Sequence, residues 1–256
     1  MSELNAPSLC KAAGIGWHEA AEATELAEIL AQCIASSLQN RIDVDGAASL
    51  VVSGGSTPAP VFKRLSDTGI DWSKVVVTLA DERWVPPGHA DSNESLVRDL
   101  LLVNKAQYAQ FVPLYSDGLS ADNSVPGLAT NIVSMPQPFT VTILGMGNDG
   151  HTASLFPDAP ADQLDAAMAI DNMQTVAVLR PPSVPQERIS LTRSALLNSH
   201  HRILHITGNA KYEVLVKALA ESADKNGKPG TYISGLKPII GLLTTQSSQA
   251  SVYWSP

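Results

Sequence analysis

The stretch "ASLVVSGGSTP", Ala48 to Pro58, passes from small and branched apolar residues into two glycines, hydroxyls and a proline. An apolar run this short, closed by helix-breaking residues, reads as a buried strand over Ala48–Ser53. The glycines let the backbone turn sharply, and a helix starts near Pro58 because proline suits a first helical turn. The same grammar repeats outward. "KVVVTLA" (Lys74–Ala80) is a second apolar strand and runs into "DERWVPP". "FTVTILG" (Phe139–Gly145), "QTVAVL" (Gln174–Leu179), "RILHIT" (Arg202–Thr207) and "IIGLLT" (Ile239–Thr244) read as further strands. Between them lie helical segments. Glu19–Gln39 carries Leu26, Ile29, Leu30, Cys33 and Ile34 at helical spacing, Ser92–Leu102 has Ser92 or Asn93 as N-cap, and Asn209–Ser222 follows a strand directly. The Pro-containing segments near 113–138 and 180–187 read as surface loops. Apolar strands alternating with amphipathic helices predict an α/β fold, a mostly parallel sheet flanked by helices on both faces, in one domain over residues 1–256.

Composition narrows the function classes. With 44% hydrophobic and 16% charged residues, the 256-residue chain can bury a full core. A formal charge of −8 argues against a general nucleic-acid or membrane surface, although a local cluster of donors can still bind an anionic small molecule. Cys10 and Cys33 have neither metal nor disulfide-framework spacing and are expected as reduced thiols in or near a helix. No apolar run approaches the ~18 residues of a membrane span, and "MSELNAPSLC" lacks the shape of a signal peptide. A cytoplasmic protein with no obligate protein partner is the expectation.

In open parallel sheets, ligands sit beyond the carboxyl ends of the strands, where strand order reverses. Three unusual loops, at 53–58, 81–87 and 145–157, all follow predicted strands and are expected on one rim. In "SGGSTP", Gly54, Gly55, Ser56 and Thr57 admit two readings: a backbone cradle for phosphate, or an ordinary turn with Thr57 capping and Pro58 at the first helical position. The segment lacks the lysine of a P-loop. In "LADERWVPP", Asp81 and Arg83 stand at a strand's carboxyl end, and the arginine fork suits phosphate or carboxylate oxygens. Glu82 is expected in a surface ion pair. In "ILGMGNDGHTASLFP", Gly145, Gly147 and Gly150 match G-x-G-x-x-G, but the position deep in the chain and the "DGH" that follows speak against a dinucleotide site. His151 stands apart from His18, His89, His200, His201 and His205, which are expected as buried structural residues. It lies among glycines at a strand end, with Asp149 two residues away to hold its tautomer, and suits a general base. No G-x-S-x-G elbow and no H-E-x-x-H or Cys/His cluster supplies a nucleophile or a metal site.

Taken together, "VVSGGSTP", "LADERWVP", "DSNESLVRDLLL", "ILGMGNDGHTASLFP" and "ERISLTRSALLNS" closely resemble 6-phosphogluconolactonases, over roughly Ala20 to Trp254. The resemblance implies a modified doubly wound fold, hydrolysis of a sugar-phosphate lactone in the oxidative pentose phosphate pathway, and no metal or organic cofactor. It implies His151 and Asp149 as catalytic residues, and Gly54 to Thr57, Asp81, Arg83, Arg188 and Lys211 as the substrate site. Related glucosamine-6-phosphate isomerases continue from the same histidine into Asn-Glu-Pro. Here "HTASLFP" has no carboxylate between His151 and Asp158, so the isomerase relay is missing. A sugar-phosphate sensor would need a DNA-binding module that the acidic chain does not offer. One departure is Arg193, where the family pattern has an apolar residue followed by proline; it either faces solvent or joins the phosphate site.

Overall fold

The computed structural model describes residues 5–224, 235–244 and 249–256. The elements in chain order are α1 (Ala6–Ala12), β1 (Gly16–Glu19), α2 (Ala23–Asp45), β2 (Ala48–Val52), α3 (Ala59–Leu65), β3 (Val75–Leu79), β4 (Asp81–Arg83), α4 (Asn93–Leu100), β5 (Gln110–Val112), α5 (Ala121–Val133) and β6 (Phe139–Leu144). They continue with α6 (Ala161–Met168), β7 (Val176–Leu179), β8 (Arg188–Leu191), α7 (Arg193–Leu197), β9 (Ser199–Thr207), α8 (Asn209–Asp224), α9 (Pro238–Leu243) and β10 (Gln249–Ser255).

The sheet that the apolar runs predict has seven parallel strands in the order β1-β10-β9-β6-β2-β3-β5. Every residue of β2 and β6 is buried, as expected of strands covered on both faces. The chain first runs from β2 through β3 to β5, then returns to the other side of β2 with β6. The strand order therefore reverses between β2 and β6, which opens a crevice beyond their carboxyl ends. Ser53 Oγ closes the base of that crevice by donating to the Ile143 carbonyl at 3.1 Å.

Neighbouring residues of β9 show how the faces are covered. Ile203 joins one apolar cluster with Leu26, Leu30, Ile34 and Leu38 of α2, whereas Leu204 joins a second with Leu215 of α8 and Ile239 and Ile240 of α9. Successive side chains of a strand point to opposite faces, so α2 covers one face and α8 with α9 the other. Each fully buried Leu or Ile of these stripes stabilises the fold by about 1.5–3 kcal/mol. α2 ends at Gly46, whose φ of +82° is the left-handed cap glycine adopts freely, with its N–H donating to the Ile42 carbonyl. Ile29 lies on the outer side of this helix and is exposed.

Four expectations are corrected. "IIGLLT" is not a strand but α9, because Pro238 stands at the helix start and the buried guanidinium groups of Arg193 and Arg202 donate to the Gly241 and Leu242 carbonyls of its last turn. The sheet position is taken instead by β10. Segment 113–138 holds α5, opened by Ser120, whose hydroxyl accepts from Asn123 N–H, and anchored by buried Leu128 and Ile132. "QTVAVL" supplies β7, which belongs to a separate antiparallel sheet of order β4-β8-β7. Of the histidines expected in the interior, only His201 and His205 are buried; His18, His89 and His200 are exposed. Cys10 and Cys33 are free thiols on α1 and α2, and burial pushes the Cys10 thiol up to about 12. Among the described residues no helix is long and apolar enough to cross a membrane.

Candidate active site

The small sheet stands over the crevice because β4 follows β3 almost directly. Ala80 N–H donates to the Val52 carbonyl, and the Ala80 carbonyl accepts from Leu191 N–H, each at 2.8 Å. This pins the carboxyl ends of β2 and β3 beneath β4 and β8. The resulting cleft has a volume of about 270 Å³ and is lined by Gly54, Gly55, Ser56, Thr57, Asp81, Arg83, His151, Arg188 and Lys211. The residues expected to bind substrate, and His151, therefore meet on one rim. Asp149 does not line the cleft and reaches it only through its contact with His151.

The glycine loop between β6 and Pro157 answers to a steric need. His151 Nδ1 lies 2.6 Å from Asp149 Oδ1, and the His151 backbone N–H donates to the same oxygen at 3.1 Å. Burial alone pushes the Asp149 carboxyl up, but these hydrogen bonds from His151 outweigh it and hold it below the ordinary aspartate value. An ionised carboxylate only accepts, so the contact selects the neutral tautomer that has its proton on Nδ1 and its lone pair on Nε2. The ring also stacks on Phe156, with centroids 4.0 Å apart, which fixes its plane. A Cβ at Gly147 would collide with the His151 ring and with Asp149 Oδ1, so only glycine lets the pair fold back over this turn. Gly147→Ala is accordingly expected to displace the imidazole from Asp149 with an unchanged far-UV spectrum; a shift of the His151 ring ¹⁵N resonances in the folded variant checks this.

On the opposite wall, β4 and β8 place Arg83 directly across from Arg188. Like charges opposite each other on a ladder destabilise a sheet. Arg188 is nearly buried, and burial first, then the Arg83 charge, lowers its pKa. Such a pair is the arrangement an anion would neutralise. Asp81 lies on the same face, two residues from Arg83, and its Oδ2 accepts from Ser154 Oγ at 2.5 Å. Lys211, in the first turn of α8, is half-buried, and burial lowers its pKa.

The "SGGSTP" loop is not a capped turn. Gly55 has a φ of +95°, and α3 starts without a side-chain cap, so Thr57 is left facing the cleft. Gly54 is required because a Cβ there would fall on the Asn93 carboxamide, whose Nδ2 donates to the Asp81 carbonyl at 2.9 Å.

Glu82 is also corrected. Fully buried rather than paired on the surface, its carboxylate accepts from the N–H groups of Arg83, Asn93 and Glu94 and from the Ser92 hydroxyl. It thereby caps α4 and carries Asn93 to the cleft. Arg193 neither faces solvent nor joins the cleft; it is buried and ties the Gly241 carbonyl of α9 to the Met168 carbonyl of α6. The cleft also holds Asn93, Ala153, Ser154, Phe156 and His205, which the sequence reading does not name as site residues. Ala153 has a φ of +47°, unusual for a residue with a Cβ and characteristic of strained positions at sites. For His205, a strand-end position shortly before Lys211 was the available signal. Among the described residues, no group of three or more His, Cys, Asp or Glu is arranged to hold a metal ion.

A family model described as glucosamine-6-phosphate isomerases/6-phosphogluconolactonase matches residues 21–239. The chain belongs to this family. Within it, the 6-phosphogluconolactonase of Neisseria meningitidis serogroup A is 44% identical over 206 residues, covering 79% of this chain and 87% of the relative. That of Pseudomonas aeruginosa is 41% identical over 220 residues, covering 86% and 90%. The crystal structure of a 6-phosphogluconolactonase from Shewanella baltica superposes with a TM-score of 0.86 at 38% identity, covering 94% of this chain and 98% of that one. These family members all carry the lactonase name, which agrees with the missing carboxylate between His151 and Asp158.

Proposed function

We propose that the chain hydrolyses 6-phospho-D-glucono-1,5-lactone to 6-phosphogluconate, the lactone-opening step of the oxidative pentose phosphate pathway. The observation that carries this reading is a histidine–aspartate pair opening onto the same cleft as Arg83, Arg188 and Lys211. A lactone with a distant phosphate needs both ends of that arrangement. Arg83, Arg188, Lys211 and the backbone from Gly54 to Thr57 hold the phosphate and orient the sugar. His151 Nε2 takes a proton from water as the water oxygen attacks the lactone carbonyl. The carbonyl carbon becomes tetrahedral, and donors on the cleft wall stabilise its oxyanion. Collapse breaks the bond to the ring oxygen, which receives the proton from His151, and the open-chain acid leaves. Asp149 keeps the imidazole in the tautomer that presents Nε2. The ester is already reactive, so one base and good positioning suffice.

The test sets the two activities of the family side by side. Purified protein is expected to open the lactone and to release no ammonia from glucosamine 6-phosphate; ammonia release without lactone hydrolysis would overturn the proposal. The chemistry described needs no metal, so the lactonase rate is expected to survive exhaustive treatment with chelator. A rate lost to chelator and restored by one divalent ion alone would contradict this.

A further inference from the structure

His205 lies on β9 near the carboxyl end and lines the cleft, yet it is 3% exposed, and neither ring nitrogen has a hydrogen-bond partner among the described residues. Buried polar groups without partners are rare and costly, so each calls for an explanation. The other buried histidine makes the contrast, because His201 Nε2 is within 3.0 Å of Ser251 Oγ. Packing alone would be served better at position 205 by an apolar residue, as the neighbouring Leu204 and Ile206 are.

Burial, and after it the charge of Lys211, pushes the His205 imidazole down to about 4, so the ring is neutral at physiological pH. A neutral imidazole has one N–H to give and one lone pair to fill. Inorganic phosphate, mainly acceptor oxygens on one centre, matches the N–H better than the lone pair. A phosphorylated polyol offers both complements, an acceptor oxygen and a hydroxyl donor. Lys211, which lines the same cleft, supplies the charge that His205 lacks.

We infer that His205 is a substrate-contacting residue, its neutral ring donating to one oxygen of a bound sugar phosphate and accepting from a hydroxyl of the same molecule. The inference rests on the sugar-phosphate reading of the cleft and adds a residue that recognises the polyol rather than charge alone.

The test measures the Kd of 6-phosphogluconate and of inorganic phosphate, for wild type and for His205→Phe, His205→Asn and His205→Gln. His205→Phe keeps the bulk and removes both polar atoms. It is expected to weaken 6-phosphogluconate roughly 10-fold or more, the typical scale for lost hydrogen bonds in a buried site, while inorganic phosphate changes less. At least one amide variant, each with a donor and an acceptor, is expected to recover part of the loss. A second measurement uses only wild type: the ¹⁵N resonances of the His205 ring are expected to shift on saturation with 6-phosphogluconate. A folded His205→Phe protein with wild-type Kd for 6-phosphogluconate overturns the inference. So does a wild-type ring whose resonances do not move, even if the Phe variant fails to fold, and so does a wild type that binds no 6-phosphogluconate. Lactone hydrolysis with an unchanged Kd in His205→Phe removes the role of His205 alone. A weakened Kd and a shifted ring in a protein that hydrolyses no lactone leaves the contact standing and removes the hydrolytic reading.

Discussion

His151→Ala is expected to lower kcat for lactone hydrolysis on the order of 10²-fold or more, the usual contribution of a positioned general base. The imidazole is held by Asp149 on one side and stacked on Phe156 on the other. In the proposed mechanism its removal takes away the proton acceptor but not the cations of the opposite wall, so KM is expected to change little. Asp149→Ala is expected to fall between wild type and His151→Ala, because the base remains but its tautomer and plane are no longer fixed. Stopped-flow or initial-rate assays on variants of unchanged Tm check both. A folded His151→Ala enzyme that retains most of its kcat removes the histidine from the mechanism.

The second large effect concerns the cations. Arg83→Ala and Lys211→Ala are each expected to raise KM for the phosphorylated lactone roughly 10- to 150-fold, from the ~1.5–3 kcal/mol of a hydrogen bond to a charged group. Unphosphorylated gluconolactone lacks the phosphate that the proposed mechanism sets against these cations and is expected to lose much less. Arg83 faces Arg188 across the β4–β8 ladder, so its removal relieves a like-charge contact. The Arg83→Ala protein is therefore expected to be no less stable than wild type while it binds substrate less well. This opposition of stability and binding is what an anion site predicts and what a structural ion pair does not. The comparison needs equal ionic strength, since salt screens the cations. Equal losses on both lactones would place these side chains at the oxyanion or in the scaffold instead of at the phosphate.

The parallel core was legible because β2, β3 and β6 are short apolar runs closed by turn residues, and burial on both faces leaves no other use for such runs. "IIGLLT" was not, because a six-residue apolar run satisfies either period. What decides it is remote: Arg193 and Arg202 donating to carbonyls of its last turn from elsewhere in the chain. β7 shows the same limit, since nothing in "QTVAVL" tells whether its partner is parallel in the main sheet or antiparallel in the small one. At the site, the His151 loop could be read because its glycines, aspartate and histidine act within one turn. Glu82, Ser154 and His205 could not, because their surroundings come from distant segments. Ser154 meets Asp81 from 73 residues away. Glu82 looks like a surface acid until α4 folds its amino end onto the carboxylate.

The most direct test of the central claim is the rate of 6-phosphogluconate formation from freshly prepared 6-phosphogluconolactone, followed as NADPH with excess 6-phosphogluconate dehydrogenase. Wild-type protein is expected to raise that rate well above spontaneous hydrolysis, in proportion to enzyme concentration, and the His151→Ala protein at the same concentration is expected to bring it back close to the spontaneous rate. A wild-type rate equal to the spontaneous one, or an equally fast His151→Ala protein, would contradict the account.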